Sequence, residues 1–149
     1  MARRVFFSFH YQRDVFRVNQ IRNIPQVTGC AAAGFLDSSI WEDAKAKSDA
    51  AVEKLIDDGL YNTSVTVVCI GAKTAGRKFI NYEIQESIDR GNGIVGVKIH
   101  HLKGGGLFSA ADSAGDIPFK LNNAYTVYKY VDHDKLAGWI EQAAKDAGK

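Results

Sequence analysis

The sequence predicts an α/β fold, a flavodoxin-like, doubly wound, parallel five-stranded sheet with helices on both faces. Three observations lead there. The short runs VFFSF and SVTVVCI are apolar almost throughout rather than alternating, as strands covered on both faces are. Stretches with apolar residues every three or four positions lie between such runs, so strand and helix alternate along the chain. The length of 149 residues suits one domain with a sizeable core, and no internal repeat or linker divides it.

Residues 5–9 (VFFSF) read as the first strand. Residues 11–22 follow as a helix with Val15, Val18 and Ile21 or Arg22 at helical spacing, ended by Pro25. Residues 27–35 are ambiguous, with room for an edge strand. Residues 41–58 make the clearest helix, because Trp41, Ala44, Ser48, Val52, Leu55 and Ile56 recur every three or four positions. Ser38 or Ser39 can cap it and Gly59 can stop it. Residues 64–70 are a β-branched buried strand, residues 78–90 a helix ended by Gly91, and residues 93–100 the next strand. Residues 102–123 form a long loop containing Gly104-Gly105-Gly106, and loops of that length in compact domains are commonly functional or mobile. Residues 124–131 (AYTVYKYV) form a last strand. Residues 133–147 close the chain as a helix with Leu136, Trp139, Ile140 and Ala143 inward, capped by Asp132 or Asp134. In a sheet of this kind ligands bind beyond the carboxyl ends of the strands, near the switch point. Those ends are residues 8–11, 36–41, 71–78 and 100–102.

The formal charge of +2 is too small to argue for nucleic acid or an anionic membrane surface. No apolar run approaches the roughly 20 residues of a membrane span, and residues 1–20 lack a signal-peptide core. Cys30 and Cys69 read as reduced, packed thiols of a cytoplasmic protein.

Glu83 is the leading candidate for chemistry. It stands one turn from Phe79 and Ile80 and from Ser87, beside the stripe of Ile80, Ile84 and Ile88. A carboxylate is costly to hide in an apolar wall, so Glu83 is either paired at the rim with Lys78 or Arg90 or held there for a reaction. Lys78, Tyr82 and Glu86 form a second stripe toward solvent or the sheet end. The loop GAKTAGRK approaches a phosphate-binding pattern but lacks its Ser or Thr, which excludes a Walker-type hydrolase. Arg77, Lys78 and the free N–H groups at the helix start can still receive a diphosphate. At the first strand end, Ser8-Phe9-His10-Tyr11 offers rings to stack and an imidazole to meet phosphate. His100 and His101 are expected on opposite faces of a strand, poor geometry for one metal, and no Cys/His cluster supports a metal site. No Ser-His-Asp arrangement with a nucleophile elbow is visible.

Three blocks in order, RRVFFSFHYQRDVFRVNQIRN, AAAGFLDSSIWEDAK and NTSVTVVCIGAKTAGRKFINYEIQESIDRGNGIVGVKIH, resemble the TIR-like domains, and within them the B component of the Thoeris anti-phage system, ThsB. TIR enzymes cleave NAD at the nicotinamide–ribose bond with a glutamate in a W-x-x-x-E motif, which stands here as Phe79-Ile80-Asn81-Tyr82-Glu83 with Phe in the aromatic place. The resemblance implies a single TIR-like domain with Glu83 catalytic. It also implies a substrate-binding set of Ser8, Phe9, His10, Tyr11, Asp37, Trp41, Arg77, Lys78, Phe79 and Tyr82. NAD would be the substrate and no cofactor would be needed. The product would be a cyclic ADP-ribose isomer that signals to a separate effector, with neighbouring subunits of a homo-oligomer sharing a composite site.

Two other functions compete. A non-catalytic TIR-like interaction module is favoured by Phe79 in the aromatic place. A phosphoacceptor receiver on the same fold would use Asp37 and Lys98, but it lacks an acidic pair after the first strand, which ends in Ser8-Phe9-His10.

Overall fold

A computed structural model describes residues 3–25, 27–31, 38–104, 111–122 and 124–149, with backbone only at residues 11–12, 28–31 and 38–42. The strands are β1 (Arg3–Ser8), β2 (Val27–Ala31), β3 (Val65–Ile70), β4 (Gly93–Lys98) and β5 (Val127–Lys129). The helices are α1 (Tyr11–Ile21), α2 (Ser38–Lys47), α3 (Asp49–Leu60), α4 (Lys78–Asp89) and α5 (His133–Asp146). The sheet runs in the order β2-β1-β3-β4-β5 and every pairing is parallel. This is the expected doubly wound fold, with its switch point between β1 and β3.

The alternation of side chains across each strand sorts the core into two layers. Val5, Phe7 and Phe9 join Val65, Val67, Cys69, Val95 and Val97 under α1 and α5. On the other face Phe6 packs with Val52, Ile56 and Leu60 of α3, while Val68, Ile70 and Ile94 pack with Ile80 and Ile84 of α4. Cys69 is fully buried in the first of these layers, and the Cys30 side chain lies outside the described residues. Among the described residues no helix is long and apolar enough to cross a membrane.

Several expectations shift. The single helix over residues 41–58 is two, because Ser48 takes an extended conformation (φ −175°, ψ 163°) and its side chain accepts a hydrogen bond from Ala51 N–H. A serine inside an apolar repeat competes with the helix for its own backbone, and here it caps a new one. Gly59 does not stop that helix, which continues to Leu60. Asp132 caps α5 by accepting from Lys135 N–H at 2.8 Å. The last strand is only three residues long. Within the long connection after β4, residues 111–122 run across the strand ends and include a single 3-10 turn at Phe119–Leu121, while Gly105 and Gly106 lie outside the described residues. β4 ends at Lys98, so His100 and His101 do not alternate across a strand. Their rings meet edge to face, with centroids 5.2 Å apart.

Candidate active site

Ser8 ends β1 and projects to the α4 side of the sheet, opposite Phe7 and Phe9. Glu83 sits on the sheet-facing side of α4 with 5% of its surface exposed, and Ser8 is fully buried. The Ser8 hydroxyl donates to Glu83 Oε1 at 2.8 Å. Burial pushes the Glu83 carboxyl up to about 8, and the Ser8 hydrogen bond offsets only part of that shift. Among the described residues no cation pairs with Glu83. Lys78 pairs instead with Asp49 of α3, and Arg90 lies 3.8 Å from both Asp57 and Glu86. The rim ion pair weighed from the sequence is therefore absent.

A buried polar chain fixes α4 on the sheet below Glu83. Ser87 Oγ donates to Glu83 O at 2.7 Å and lies 2.7 Å from Thr66 Oγ1. Asn92 Nδ2 donates to Thr66 Oγ1 and to Thr63 Oγ1, at 3.2 and 3.0 Å. Each hydroxyl is satisfied where an orphan would be costly, so the depth of α4, and of Glu83 with it, is strongly specified.

His10 caps α1, its Nδ1 accepting from Arg13 N–H at 3.4 Å. Burial first, then Arg77, with Arg13 and Lys45 adding, lowers the imidazole to about 4. It is therefore neutral at physiological pH, with cationic side chains gathered around it. Arg77 is exposed at the N-cap position of α4 and makes no side-chain cap there. Six residues separate it from Glu83, about 9 Å along a helix. Gly71 N–H donates to the buried Thr74 hydroxyl at 2.8 Å, closing the start of the β3–α4 loop.

Other expected site residues are placed elsewhere. Phe9, 6% exposed, belongs to the core layer under α1 and α5, on the far side of the sheet from Glu83, so it offers no open ring face. Phe79 and Tyr82 pack toward α3, and the Tyr82 hydroxyl donates to Asp57 Oδ1 at 2.9 Å. Burial and that carboxylate push the Tyr82 phenol well up. Lys78 is turned to α3 by Asp49 rather than to the cleft. The structure brings together Ser8 and Glu83, and His10 with Arg77. Tyr11 opens α1 and Trp41 lies in α2, but their side chains, and all of Asp37, lie outside the described residues. Sequence reasoning missed Lys45, and it missed Asp14, Arg17 and Asp112. Arg17 and Asp14 are fully buried and paired at 2.8 Å. Their signal was two charges three residues apart beside the stripe of Val15, Val18 and Ile21.

A buried carboxylate at the switch point, with a cationic edge about one and a half helical turns away, suits a ligand that carries a positive centre at one end and phosphates at the other. The family model described as Thoeris protein ThsB, TIR-like domain, matches residues 6–104. The chain belongs to the Thoeris ThsB TIR-like family. That ThsB-type match runs from within β1 through β4 and takes in α4, and so includes both Ser8 and Glu83. A relative from Bacillus cereus (strain MSX-D12), provisionally named cyclic ADP-D-ribose synthase ThsB1, is 46% identical over 138 residues, covering 91% of this chain and 68% of the relative. Similarity to that ThsB protein thus extends well beyond the matched domain.

Proposed function

We propose that this chain cleaves the nicotinamide–ribose bond of NAD and cyclises the ADP-ribose, giving a nucleotide signal in anti-phage defence. The observation that carries the reading is Glu83, a buried carboxylate without a cation partner among the described residues, bonded to Ser8 at the switch point. Membership of the ThsB family, and the cyclic ADP-D-ribose synthase name of the Bacillus relative, support it.

The chemistry suits one carboxylate. The C1′–N bond breaks, and nicotinamide departs neutral with the bonding electron pair, so no acid has to protonate it. Positive charge develops on the ribose ring, and an ionised Glu83 stabilises it at close range in a dry site. A nucleophilic group of the same ADP-ribose then attacks C1′ in place of water and passes its proton to Glu83. The balance is NAD⁺ to cyclic ADP-ribose, nicotinamide and one proton. Keeping water out decides cyclisation over hydrolysis. Arg77, the N-terminus of α4 and the neutral His10 receive the diphosphate, with Lys45 adding positive potential. Trp41 or Tyr11 stacks on a ring of the substrate. The product acts on a separate effector, and a composite site between copies of the chain completes the pocket.

The test incubates the purified chain with NAD at low and high protein concentration, beside Glu83→Ala, with products read by chromatography and mass spectrometry. Nicotinamide with a product of ADP-ribose mass less one water, absent in the variant, is expected. Linear ADP-ribose would keep the enzyme and remove the cyclase. Turnover unchanged in Glu83→Ala would overturn the role of Glu83. No turnover at any concentration would favour the interaction module.

A further inference from the structure

Residues 111–122 are anchored on the elements that carry the site. Asp112 accepts from Arg13 Nε at 3.0 Å and Nη2 at 2.9 Å, lies 3.2 Å from Arg17 Nη2, and donates its own N–H to His100 O. Arg17 is fully buried, and it also donates to Leu102 O, Arg13 O and Asp14 Oδ1. A guanidinium in that position depends on its carboxylates, because a lone buried charge is strongly destabilising.

Three residues along, Gly115 lies directly against the β3–α4 loop. A Cβ there would meet Gly71 O at 2.3 Å and Ala72 O at 2.6 Å. Gly71 in turn rests on α1, since a Cβ on it would lie 2.2 Å from Asp14 Oδ2. Asp14, Gly71 and Gly115 are therefore stacked without room for a side chain between them. Beyond the stack, Ile117 and Leu121 pack with Ile80 and Ile84 of α4, and Lys120 Nζ donates to Gln85 Oε1. The segment thus holds α1 beside His10, the first residues of the β3–α4 loop, and α4.

We infer that residues 111–122 are a strap that fixes the β3–α4 loop, and through it Arg77 and Glu83, with Asp112 the positioning residue that fastens it. The catalytic half of this inference rests on the function proposed above, whereas the mechanical half stands on the contacts alone. The strap touches no reacting atom. It acts by setting where the loop and the start of α4 lie, and displacements of about 1 Å are enough to cost a reaction heavily.

Hydrogen–deuterium exchange on the full chain tests it, with Asp112→Asn, Asp112→Glu and Gly115→Ala beside wild type. Asp112→Asn keeps the shape and removes the charge. It should raise exchange about tenfold at residues 71–78 and 111–122 while Val65–Ile70 and Gly93–Lys98 keep their protection. Asp112→Glu should recover part of the protection. Gly115→Ala should loosen the same loop by a steric route that leaves the charges in place. With NAD, KM should rise by a larger factor than kcat falls. Release of residues 111–122 with 71–78 still protected would overturn the strap, as would a uniform loss of protection across the sheet. If the expected exchange pattern appears in a chain whose wild type does not turn over NAD, the strap stands and the enzymatic reading falls.

Discussion

Glu83 and His10 are titratable groups whose folded and unfolded states hold protons differently. Glu83 titrates near 4.5 when unfolded and about 8 when folded. Between those values the folded chain keeps a proton that the unfolded chain has released, so folding weakens as pH rises from 4.5 to 8 and is level above. Glu83→Gln removes that loss and retains a partner for Ser8. Urea titrations should find the variant more stable than wild type at pH 8, by on the order of a few kcal/mol, with the difference closing toward pH 4.5. His10 works in the other direction: its lowered value of about 4, against 6.5 unfolded, removes stability as pH falls through that window. In catalysis kcat/KM for NAD should climb with pH to about 8, because it reports the free enzyme. The kcat profile should turn over at lower pH, since the pyridinium cation of bound NAD favours the ionised carboxylate. Glu83 was legible in the sequence as a carboxylate set among isoleucines. Its hydroxyl partner was not, because Ser8 is 75 residues away and only the β1–β3 side of the fold joins them.

At the scale of elements, the type of every strand and helix but β2 was legible, because apolar runs and helical repeats are local signals, whereas Val27–Ala31 carries a glycine and no continuous apolar run. What escaped was local competition and distant anchoring. Ser48 occupies a proper place in the repeat from Trp41 to Ile56, yet its hydroxyl ends one helix and starts the next. Ser48→Ala should lower stability by about 1 kcal/mol in thermal or urea unfolding, and by less as Gly. His100 and His101 were misplaced for a related reason: the apolar pattern of β4 continues past the point where its pairing stops. The role of residues 111–122 was illegible in sequence, since their partners are Arg13, Arg17 and Gly71, none of them neighbours along the chain. Phe9 and Tyr82 are near Ser8 and Glu83 in sequence but turned from them by strand alternation and helix rotation, while Phe79, one turn before Glu83, packs toward α3.

At the scale of the molecule, the sheet divides the core into two layers with different duties. Ile140 of α5 and Ile84 of α4 are both fully buried, and truncating either to Ala should cost about 2–5 kcal/mol in urea unfolding. Only Ile84→Ala should also shift the pH profile of activity, because α4 carries Glu83 and α5 lies on the other face. Equal shifts in both variants would contradict that division. The order β2-β1-β3-β4-β5 has a further consequence during synthesis. β1 is made before β3, yet it is an inner strand that pairs Val5 with Val65. At about 5–20 residues per second the ribosome takes several seconds to supply that partner. Through that interval VFFSF is an unshielded apolar segment of the kind that nucleates aggregation, and the Arg3-Arg4 pair at its start stands as a charged gatekeeper against nascent chains sticking to one another.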